Sequence, residues 1–376
     1  MSTRLLNLVC AAVLCIILTL GLWPFHAPEN QVAWLRGSNG LRFGRNGTAI
    51  SLRPFTMPTA RPDETAGSLE IWLQPKRIWD SGTFLAFYTP EDPVRFSLRQ
   101  SLTDLQMRAA IHGERTRPVN LYLNDVFHRR GPVFVTVTSC ASGIAVYVDG
   151  APALRAPRFR LRANQLTGRM ILAGSAGQPD DWKGVLLGLA IYSRELTPEQ
   201  VLRHYETWTR AGRPDIQADD GNAALYLLDE RGGRVVRDRA GSGADFFIPE
   251  RYVVPEQMFL EPFWNEFSMT RSYWSAVLKN VVGFVPFGFC FYARLSMARR
   301  LKRPALTTVL LGALTSVTIE ILQAYLPTRD SGTTDIITNT LGTWAGMMAY
   351  RFLAAGGWFA MLRDWAGAPA AGARRG

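Results

Sequence analysis

A chain of 376 residues is long enough for two or three domains, and its formal net charge of +11 reflects arginines that far outnumber the lysines. The basic residues are not interleaved with aromatics on one predicted face, which argues against nucleic acid as a partner. The cysteines show no Cys-x-x-Cys spacing, so neither a zinc site nor a disulfide framework is indicated.

The first apolar segment, from about Leu5 to Trp23, is long enough to cross a membrane as a helix. A cleaved signal peptide is the alternative. Against it, the apolar run is long, and Ala27, the small residue that would mark a cleavage site, is followed by Pro28. We therefore expect residues 1–29 to form an uncleaved N-terminal transmembrane anchor.

Residues 30–252 are predicted to form an antiparallel β-sandwich. Short runs of strand-forming residues are separated by turn signals, and several runs alternate apolar with polar residues. One helix is predicted to begin after Thr197, because Pro198 suits the first turn and Gln200 completes a capping box. The predicted strands cover residues 68–74, 82–89, 94–100, 133–139, 144–150, 169–175 and 185–193.

Three segments in this region carry a resemblance to a known family. SLEIWLQ (68–74), VFVTVTSCASGIAVYVDGAP (133–152) and GVLLGLAIYSRELTPEQVLRHY (184–205) together resemble the LamG-like, concanavalin A-like jelly roll. The resemblance covers most of residues 30–210, and residues 223–249 are similar to segments that pack on such domains. It implies an outer domain that binds a glycan or a protein, in some members with Ca²⁺.

Candidate sugar and cation ligands in the jelly roll are few. Trp79, Trp182 and Tyr88 are aromatics of the kind that stack on sugars, and Asp180 with Asp181 is the candidate pair for Ca²⁺; no other cofactor is expected. Aromatics in a sandwich are more often core residues, and an Asp pair in a Gly/Pro-rich loop is more often simply solvated. No pair of carboxylates in a glycosidase-like context stands out, so hydrolysis is not predicted.

The last third of the chain is predicted to cross the membrane three times, which gives a mixed fold of a β-sandwich and a bundle of four spans. Residues 253–273 are rich in aromatics and are expected to form an interfacial linker. A helical region of three spans follows at 274–362, and then a basic tail at 363–376. The spans are placed at about residues 274–292, 305–326 and from 335 to between 353 and 362.

Basic residues predict the orientation of these spans. Three basic segments lie on the same side of the membrane when the predicted spans between them are counted. They are Arg4, the acid-free loop ARLSMARRLKRP (293–304), and the tail with Arg374 and Arg375. Positive charge marks the cytoplasmic side. We therefore expect a multi-pass protein of the cell (inner) membrane, with both termini cytoplasmic and residues 24–273 extracytoplasmic.

Polar side chains inside these spans form the candidate ligand site. Ser316, Glu320 and Gln323 share one face of a helix, and Asp335 shares a face with Asn339 on the next. Such residues cost on the order of 2–3 kcal/mol each at membrane depth. The predicted topology gathers the candidates at the extracytoplasmic rim, and they are Asn280, Glu320, Gln323, Arg329, Asp335 and Asn339.

The same residues carry a second resemblance. NVVGFVPFG (280–288), EILQ (320–323) with PTR (327–329), and DIITNTLG (335–342) are similar, in this order, to the VanZ-like family of membrane proteins. That family is named for a protein linked to low-level teicoplanin resistance. The resemblance implies a fold and a compartment more than a mechanism, and an antibiotic-resistance or envelope-polysaccharide role is an expectation from it alone.

The candidate site allows several functions. In the leading hypothesis, Arg329 meets a phosphate and pairs with Glu320 or Asp335 when no ligand is present, and the site holds a lipid headgroup, a lipid-linked envelope precursor or a glycopeptide. Alternatively, the amides only join helices, at roughly 0.6–2 kcal/mol each. An enzyme acting on a lipid-linked glycan or phosphate is less favoured, because no nucleophile–base pair is evident. A small-solute transporter would require oligomerisation.

Overall fold

The computed structural model describes residues 3–59, 65, 67–109, 119–267, 269–298 and 300–356. The chain divides into two compact units. Residues 27–257 form one, here called the β unit. The N-terminal helix, with the chain from residue 258 onward, forms the other, here called the helical unit. The basic tail predicted at 363–376 lies outside the described residues.

The β unit is a sandwich of two antiparallel sheets, which confirms the predicted fold class. The first sheet has the order β1-β2-β13-β4-β9-β10-β11, with β14 added beside β13, and the second has the order β15-β16-β3-β12-β5-β6-β7-β8. The strands are β1 (Val32–Trp34), β2 (Leu41–Phe43), β3 (Ala49–Ser51), β4 (Gly67–Pro75), β5 (Ser81–Thr89), β6 (Asp92–Ser101), β7 (Asp104–Ala109), β8 (Val119–Leu123), β9 (Val133–Cys140), β10 (Gly143–Val148), β11 (Ala151–Ala156), β12 (Arg169–Leu172), β13 (Gly184–Tyr192), β14 (Asn222–Tyr226), β15 (Val235–Val236) and β16 (Phe246–Phe247).

Alternation along the strands builds the core between the sheets. In β7, Leu105, Met107 and Ala109 are buried, while Gln106 and Arg108 lie on the opposite face and are only partly covered. Large side chains from both sheets fill the interior, including Phe43, Phe84, Phe87, Phe96, Phe127 and Trp182. The segment 223–249 joins both sheets, through β14 against β13 and β16 against β3, as expected.

One long helix, α2 (Pro198–Ala211), packs on the first sheet. The Thr197 hydroxyl accepts a hydrogen bond from the Gln200 amide at 3.3 Å, and the Gln200 side chain accepts one from the Thr197 amide at 2.7 Å. This is the predicted capping box. Val201 and Trp208 lie on the buried face of α2 and pack with Phe134, Tyr147 and Tyr192 of the sheet.

The helical unit contains α1 (Thr3–Leu22), the short α3 (Phe263–Glu266), α4 (Arg271–Ser296), α5 (Pro304–Gln323) and α6 (Thr333–Ala355). Within the described residues, three helices are long and apolar enough to cross a membrane: α1, α4 from Tyr273, and α5. The sequence predicts four spans. The difference lies in α6, which is 23 residues long but carries Asp335, Asn339 and several threonines in its first three turns.

Glycines bring α4 and α6 into close contact. A Cβ atom added to Gly342 or Gly346 would overlap the backbone of Val281 or Val285, and one added to Gly288 would overlap the backbone of Thr343. Small residues at these positions let two helix backbones approach closely, which is how apolar helices associate without a hydrophobic driving force. The predicted Gly342-xxx-Gly346 pair therefore faces α4.

Candidate functional site

Glu320 anchors the polar cluster of the helical unit. It lies in the last turn of α5 and is 1% exposed. Its Oε2 accepts a hydrogen bond from the Gly332 amide at 2.9 Å, and the Ser331 hydroxyl donates to its backbone carbonyl at 2.9 Å. The loop that connects α5 to α6 is therefore folded back over the Glu320 carboxylate.

Two predicted site residues make hydrogen bonds between helices. Asn280 of α4 donates through Nδ2 to Oδ1 of Asp335 on α6 at 2.7 Å. Asn339 of α6 donates through Nδ2 to the Ser316 hydroxyl of α5 at 2.9 Å. These contacts bring three helices together around Asp335 and Asn339. The side-chain amides of Asn280 and Asn339 therefore join helices, as the alternative hypothesis of a structural role expects.

Gln323 and Arg329 instead contact the end of α1. Gln323 Nε2 donates to the Gly21 carbonyl at 2.8 Å. Arg329 donates through Nη2 to the Trp23 carbonyl at 2.8 Å and to the Leu20 carbonyl at 3.3 Å. Carbonyls at a helix C-terminus lack intrahelical partners, and a cation there is favourable.

The described hydrogen bonds of the Arg329 guanidinium lead to carbonyl oxygens of α1, whereas Glu320 and Asp335 accept from Gly332 and Asn280. The open C-terminal turn of α1 offers the guanidinium several neutral acceptors in one place. The pairing of Arg329 with Glu320 or Asp335 stays a prediction.

Sequence reasoning missed two acidic residues of the site. Glu266 of α3 accepts a hydrogen bond through Oε2 from the Thr334 amide at 3.0 Å, and its carboxylate abuts Gly332. The Glu261 carbonyl accepts from the Thr333 amide at 2.8 Å, and its own amide donates to the Ser331 carbonyl at 2.9 Å. The aromatics of residues 253–273 predicted an interfacial segment. The acidic residues between them were the signal for its contact with the start of α6.

The cluster is strongly acidic. Asp335, Glu266 and Asp330 all lie within electrostatic range of Glu320. In the loops outside the spans, burial first and Glu266 second raise the pKa of Asp330 and of Glu261. Arg329 offsets only part of the rise at Asp330. Like charges in one partly dry site disfavour each other's ionised forms.

Several buried polar atoms in this region have no hydrogen-bond partner among the described residues. Two are amide oxygens that can only accept, Oδ1 of Asn339 and Oε1 of Gln323, and two are hydroxyls that can donate or accept, those of Thr328 and Thr334. A buried polar atom without a partner costs roughly 1–3 kcal/mol. The carboxylates of Glu320, Asp335 and Glu266 and the two unpartnered amide oxygens are all acceptors, so the cluster suits a ligand that donates hydrogen bonds better than it suits a phosphate.

Most candidate ligand residues of the jelly roll are buried or already bonded to neighbouring side chains. Trp182 and Tyr88 are each 1% exposed, whereas Trp79 is 69% exposed. Asp180 forms an ion pair with Arg99 and accepts from the Thr83 hydroxyl at 2.6 Å. Within the described residues, no group of three His, Cys, Asp or Glu side chains has the arrangement of a metal site.

A second polar cluster, here called the histidine network, is buried in the β unit. His204 of α2 contacts the Glu70 carboxylate through Nδ1 at 3.1 Å and the Asp220 carboxylate through Nε2 at 3.0 Å, and all three side chains are inaccessible. Tyr192 donates to Glu70 at 2.7 Å, and Arg203 donates to both oxygens of Asp220 at 2.9 and 3.0 Å.

The charges of this network support one another. Burial alone would lower the pKa of His204, but the hydrogen bonds and charges of Glu70 and Asp220 outweigh it and raise that pKa. Burial, and next the charge of Glu70, keep the Tyr192 hydroxyl protonated by raising its pKa well above the ordinary value. Sequence reasoning assigned His204 no role, although it shares the buried face of α2 with Val201 and Trp208.

Comparisons with known proteins agree with the division of the chain into a β unit and a helical unit. Residues 33–202 match the family model of the concanavalin A-like lectin/glucanases superfamily. No curated protein matches the chain. Similar solved structures include a putative carbohydrate binding protein from Bacteroides ovatus, 14% identical over 57% of this chain and 58% of that one, with a TM-score of 0.40.

Two further structures show the same degree of likeness. The binding domain of botulinum neurotoxin serotype D is 13% identical over 48% of this chain and 46% of that one, with a TM-score of 0.36. A SAP-like pentraxin from Limulus polyphemus is 12% identical over 60% of this chain and 94% of that one, with a TM-score of 0.35.

Residues 243–354 match the VanZ/LLP1 family model. Both resemblances found in the sequence are thereby confirmed, each for its own part of the chain: a concanavalin A-like region over residues 33–202 and a VanZ-like region over residues 243–354.

Proposed function

We propose that this chain is a cell-envelope membrane protein that binds a carbohydrate through its β unit and a hydrogen-bond-donating ligand through the acidic cluster of its helical unit. The match of residues 33–202 to a lectin and glucanase superfamily supports the first part. The second part rests on one observation, which is that two buried amide oxygens, Asn339 Oδ1 and Gln323 Oε1, have no donor among the described residues and belong to the same region as the carboxylates around Glu320.

The predicted site residues take two roles in this proposal. Asn280, Gln323 and Arg329 hold the helices together, because their hydrogen bonds join α4 to α6 and the α5–α6 region to α1. Glu320, Asp335 and Asn339, joined by Glu266, would face the ligand. Hydroxyl groups of a lipid-linked sugar or a headgroup ammonium offer the donors that these oxygens lack.

A structural role alone explains this cluster less well. Polar residues that only join helices are expected to have their donors and acceptors matched, because an unmatched group inside a membrane gains nothing from being there. Acidic residues at membrane depth without a paired cation are functional candidates by default. The positive-inside pattern would place this cluster at the extracytoplasmic surface, where envelope precursors are exposed.

The test is to purify the full-length protein with its native lipids and to identify bound lipids and glycans by mass spectrometry. Glu320→Gln and Asp335→Asn are expected to reduce the bound ligand at least tenfold without reducing the yield of folded protein. Thr318→Val is the matched control for Glu320→Gln. Thr318 is an exposed polar residue of the same helix, and its hydroxyl bonds the Leu314 carbonyl in the described part of the chain. Ligand retained by both acidic variants would refute the membrane site.

A further inference from the structure

A polar pocket of about 380 Å³ lies on the second sheet of the β unit, on the face turned away from the sandwich core. Its floor is formed by β5, β6 and β7, and residues 175–180 form one wall. The Ser175 hydroxyl donates to the Gln178 carbonyl at 3.0 Å, which shapes this wall. The volume falls within the roughly 300–1,000 Å³ typical of small-ligand clefts.

Strand register places two polar rows across this face. Thr83 of β5 is paired with Arg99 of β6, Arg99 with Gln106 of β7, and Gln106 with Tyr122 of β8. The adjacent row contains Ser97, Arg108 and Asn120 in the same order. Side chains directly opposite each other on one face lie close enough to act on a common ligand.

The two arginines of the pocket differ in their partners. Arg99 is neutralised by Asp180, which also accepts from the Thr83 hydroxyl. The Arg108 side chain makes no ion pair or hydrogen bond with another described residue, and its Nε is buried without a partner. Burial, and next the charge of Arg99, lower the pKa of the Arg108 guanidinium. Among the described residues, the pocket thus contains a partly buried cation without an ion pair, and the charge of Asp180 offsets it only at a distance.

We propose that this pocket binds an acidic sugar residue, with the Arg108 guanidinium pairing with the sugar carboxylate. A planar guanidinium matches a carboxylate through two parallel hydrogen bonds. The inference rests on the proposed carbohydrate binding by the β unit and names the class of sugar that it selects.

The neighbouring groups favour a sugar acid over a simple anion. Gln106 donates through Nε2 to Asn120 Oδ1 at 3.2 Å and to the Tyr122 hydroxyl at 3.0 Å, so amide and hydroxyl groups are already ordered beside the arginine. Such groups exchange hydrogen bonds with sugar hydroxyls. Pro93 and Val94 add apolar surface at the rim, which suits the C–H face of a sugar ring.

The experiment applies full-length protein in nanodiscs to a glycan array that carries hexuronate- and sialate-terminated glycans beside matched neutral glycans. Titration calorimetry then measures the affinity for the best acidic glycan. Arg108→Gln is expected to weaken that affinity at least tenfold. Arg108→Lys, which keeps the charge but loses the bidentate geometry, should fall between Arg108→Gln and wild type. Arg42→Gln, at an exposed arginine of β2 in the other sheet, is the control and should have no effect.

The outcomes separate the two proposals. A preference for acidic glycans that is lost in Arg108→Gln supports the assignment of the pocket to an acidic sugar. Neutral glycans bound equally well, or an acidic preference that survives Arg108→Gln, overturn the pocket and leave carbohydrate binding standing. Binding of neither class overturns both. If Arg108→Gln does not fold, the wild-type affinity must still fall as salt is raised, and an affinity independent of salt overturns the assignment.

Discussion

The histidine network of the β unit is fully buried and the acidic cluster of the helical unit is partly buried, and their polar atoms find hydrogen-bond partners to different degrees. In the network, His204 lies between Glu70 and Asp220. Tyr192 donates a further hydrogen bond to Glu70, and Arg203 forms an ion pair with Asp220. In the cluster, Glu320, Asp335 and Glu266 accept from backbone and amide donors, and further acceptors remain unpartnered. Matched buried charges hold the fold of the β unit together, whereas the unmatched acceptors of the helical unit are where we propose that a ligand binds.

The largest effect is expected from removing the cation at the centre of the network. His204→Leu would leave Glu70 and Asp220 buried beside each other with their main partner gone. Removing one member of a buried charged group costs about 3–5 kcal/mol. Chemical denaturation of the full-length protein, followed by tryptophan fluorescence, should show a loss of this size in the transition of the β unit.

His128→Leu is the matched control, since His128 is exposed in the loop after β8. Its effect should stay within about 0.5 kcal/mol, as for most surface substitutions. If His204→Leu cost no more than this control, the network would not hold α2 on its sheet, and the contrast with the acidic cluster would disappear.

A smaller effect is expected where glycines bring helix backbones together. Gly346→Ala places a methyl group against the Val285 backbone of α4, which must move to admit it. Overpacking of this kind costs about 1–3 kcal/mol. Thermal unfolding in detergent, followed by circular dichroism, should show a lower midpoint for this variant.

Gly283→Ala offers a control on the same pair of helices, because a Cβ at Gly283 meets nothing within 4 Å. This variant should be neutral or slightly stabilising, since alanine favours helix more than glycine does. The contrast tests whether close backbone contact, rather than the acidic cluster, holds α4 against α6. Equal midpoints for the two variants would assign that role back to the polar groups.

Much of the fold was predictable because it follows from local patterns. Alternation marked strands such as 68–74 and 133–139, and Thr197 with Gln200 marked the start of α2. The strands missed were short, such as Leu41–Phe43, or polar, such as Asp104–Ala109. Their place depends on pairing with distant strands, which a local pattern does not report.

The candidate site was predictable in part. Spacing on helical faces identified Glu320, Asn339 and Asp335, and the structure brings Asp335 to Asn280. Glu266 and the contacts of Arg329 with α1 were missed for the same reason. Both depend on how loops fold back onto helix ends, as in the contact of Glu266 with Thr334, and side-chain spacing carries no information about that contact.

The smallest effect concerns pH and tests the charge state of the histidine network. The pKa of His204 is raised in the folded chain, so the folded state binds a proton that the unfolded state releases. The stability from this proton is fully present below the unfolded pKa of about 6.5 and is lost as pH rises through the folded pKa. In that window the free energy of unfolding should fall by about 1.4 kcal/mol per pH unit.

Denaturation of the β unit at several pH values between 6 and 9 measures this slope. His204→Gln should abolish it, while His128→Leu should preserve it. Asp220, whose pKa is lowered by its partners despite burial, adds a slope of the opposite sign only in acid, near and below its ordinary pKa of about 3.9. A wild-type stability that stayed level or rose from pH 7 to 9 would mean that His204 is neutral between its carboxylates. The network would then be held by ordinary hydrogen bonds and would no longer be the charge-matched counterpart of the acidic cluster.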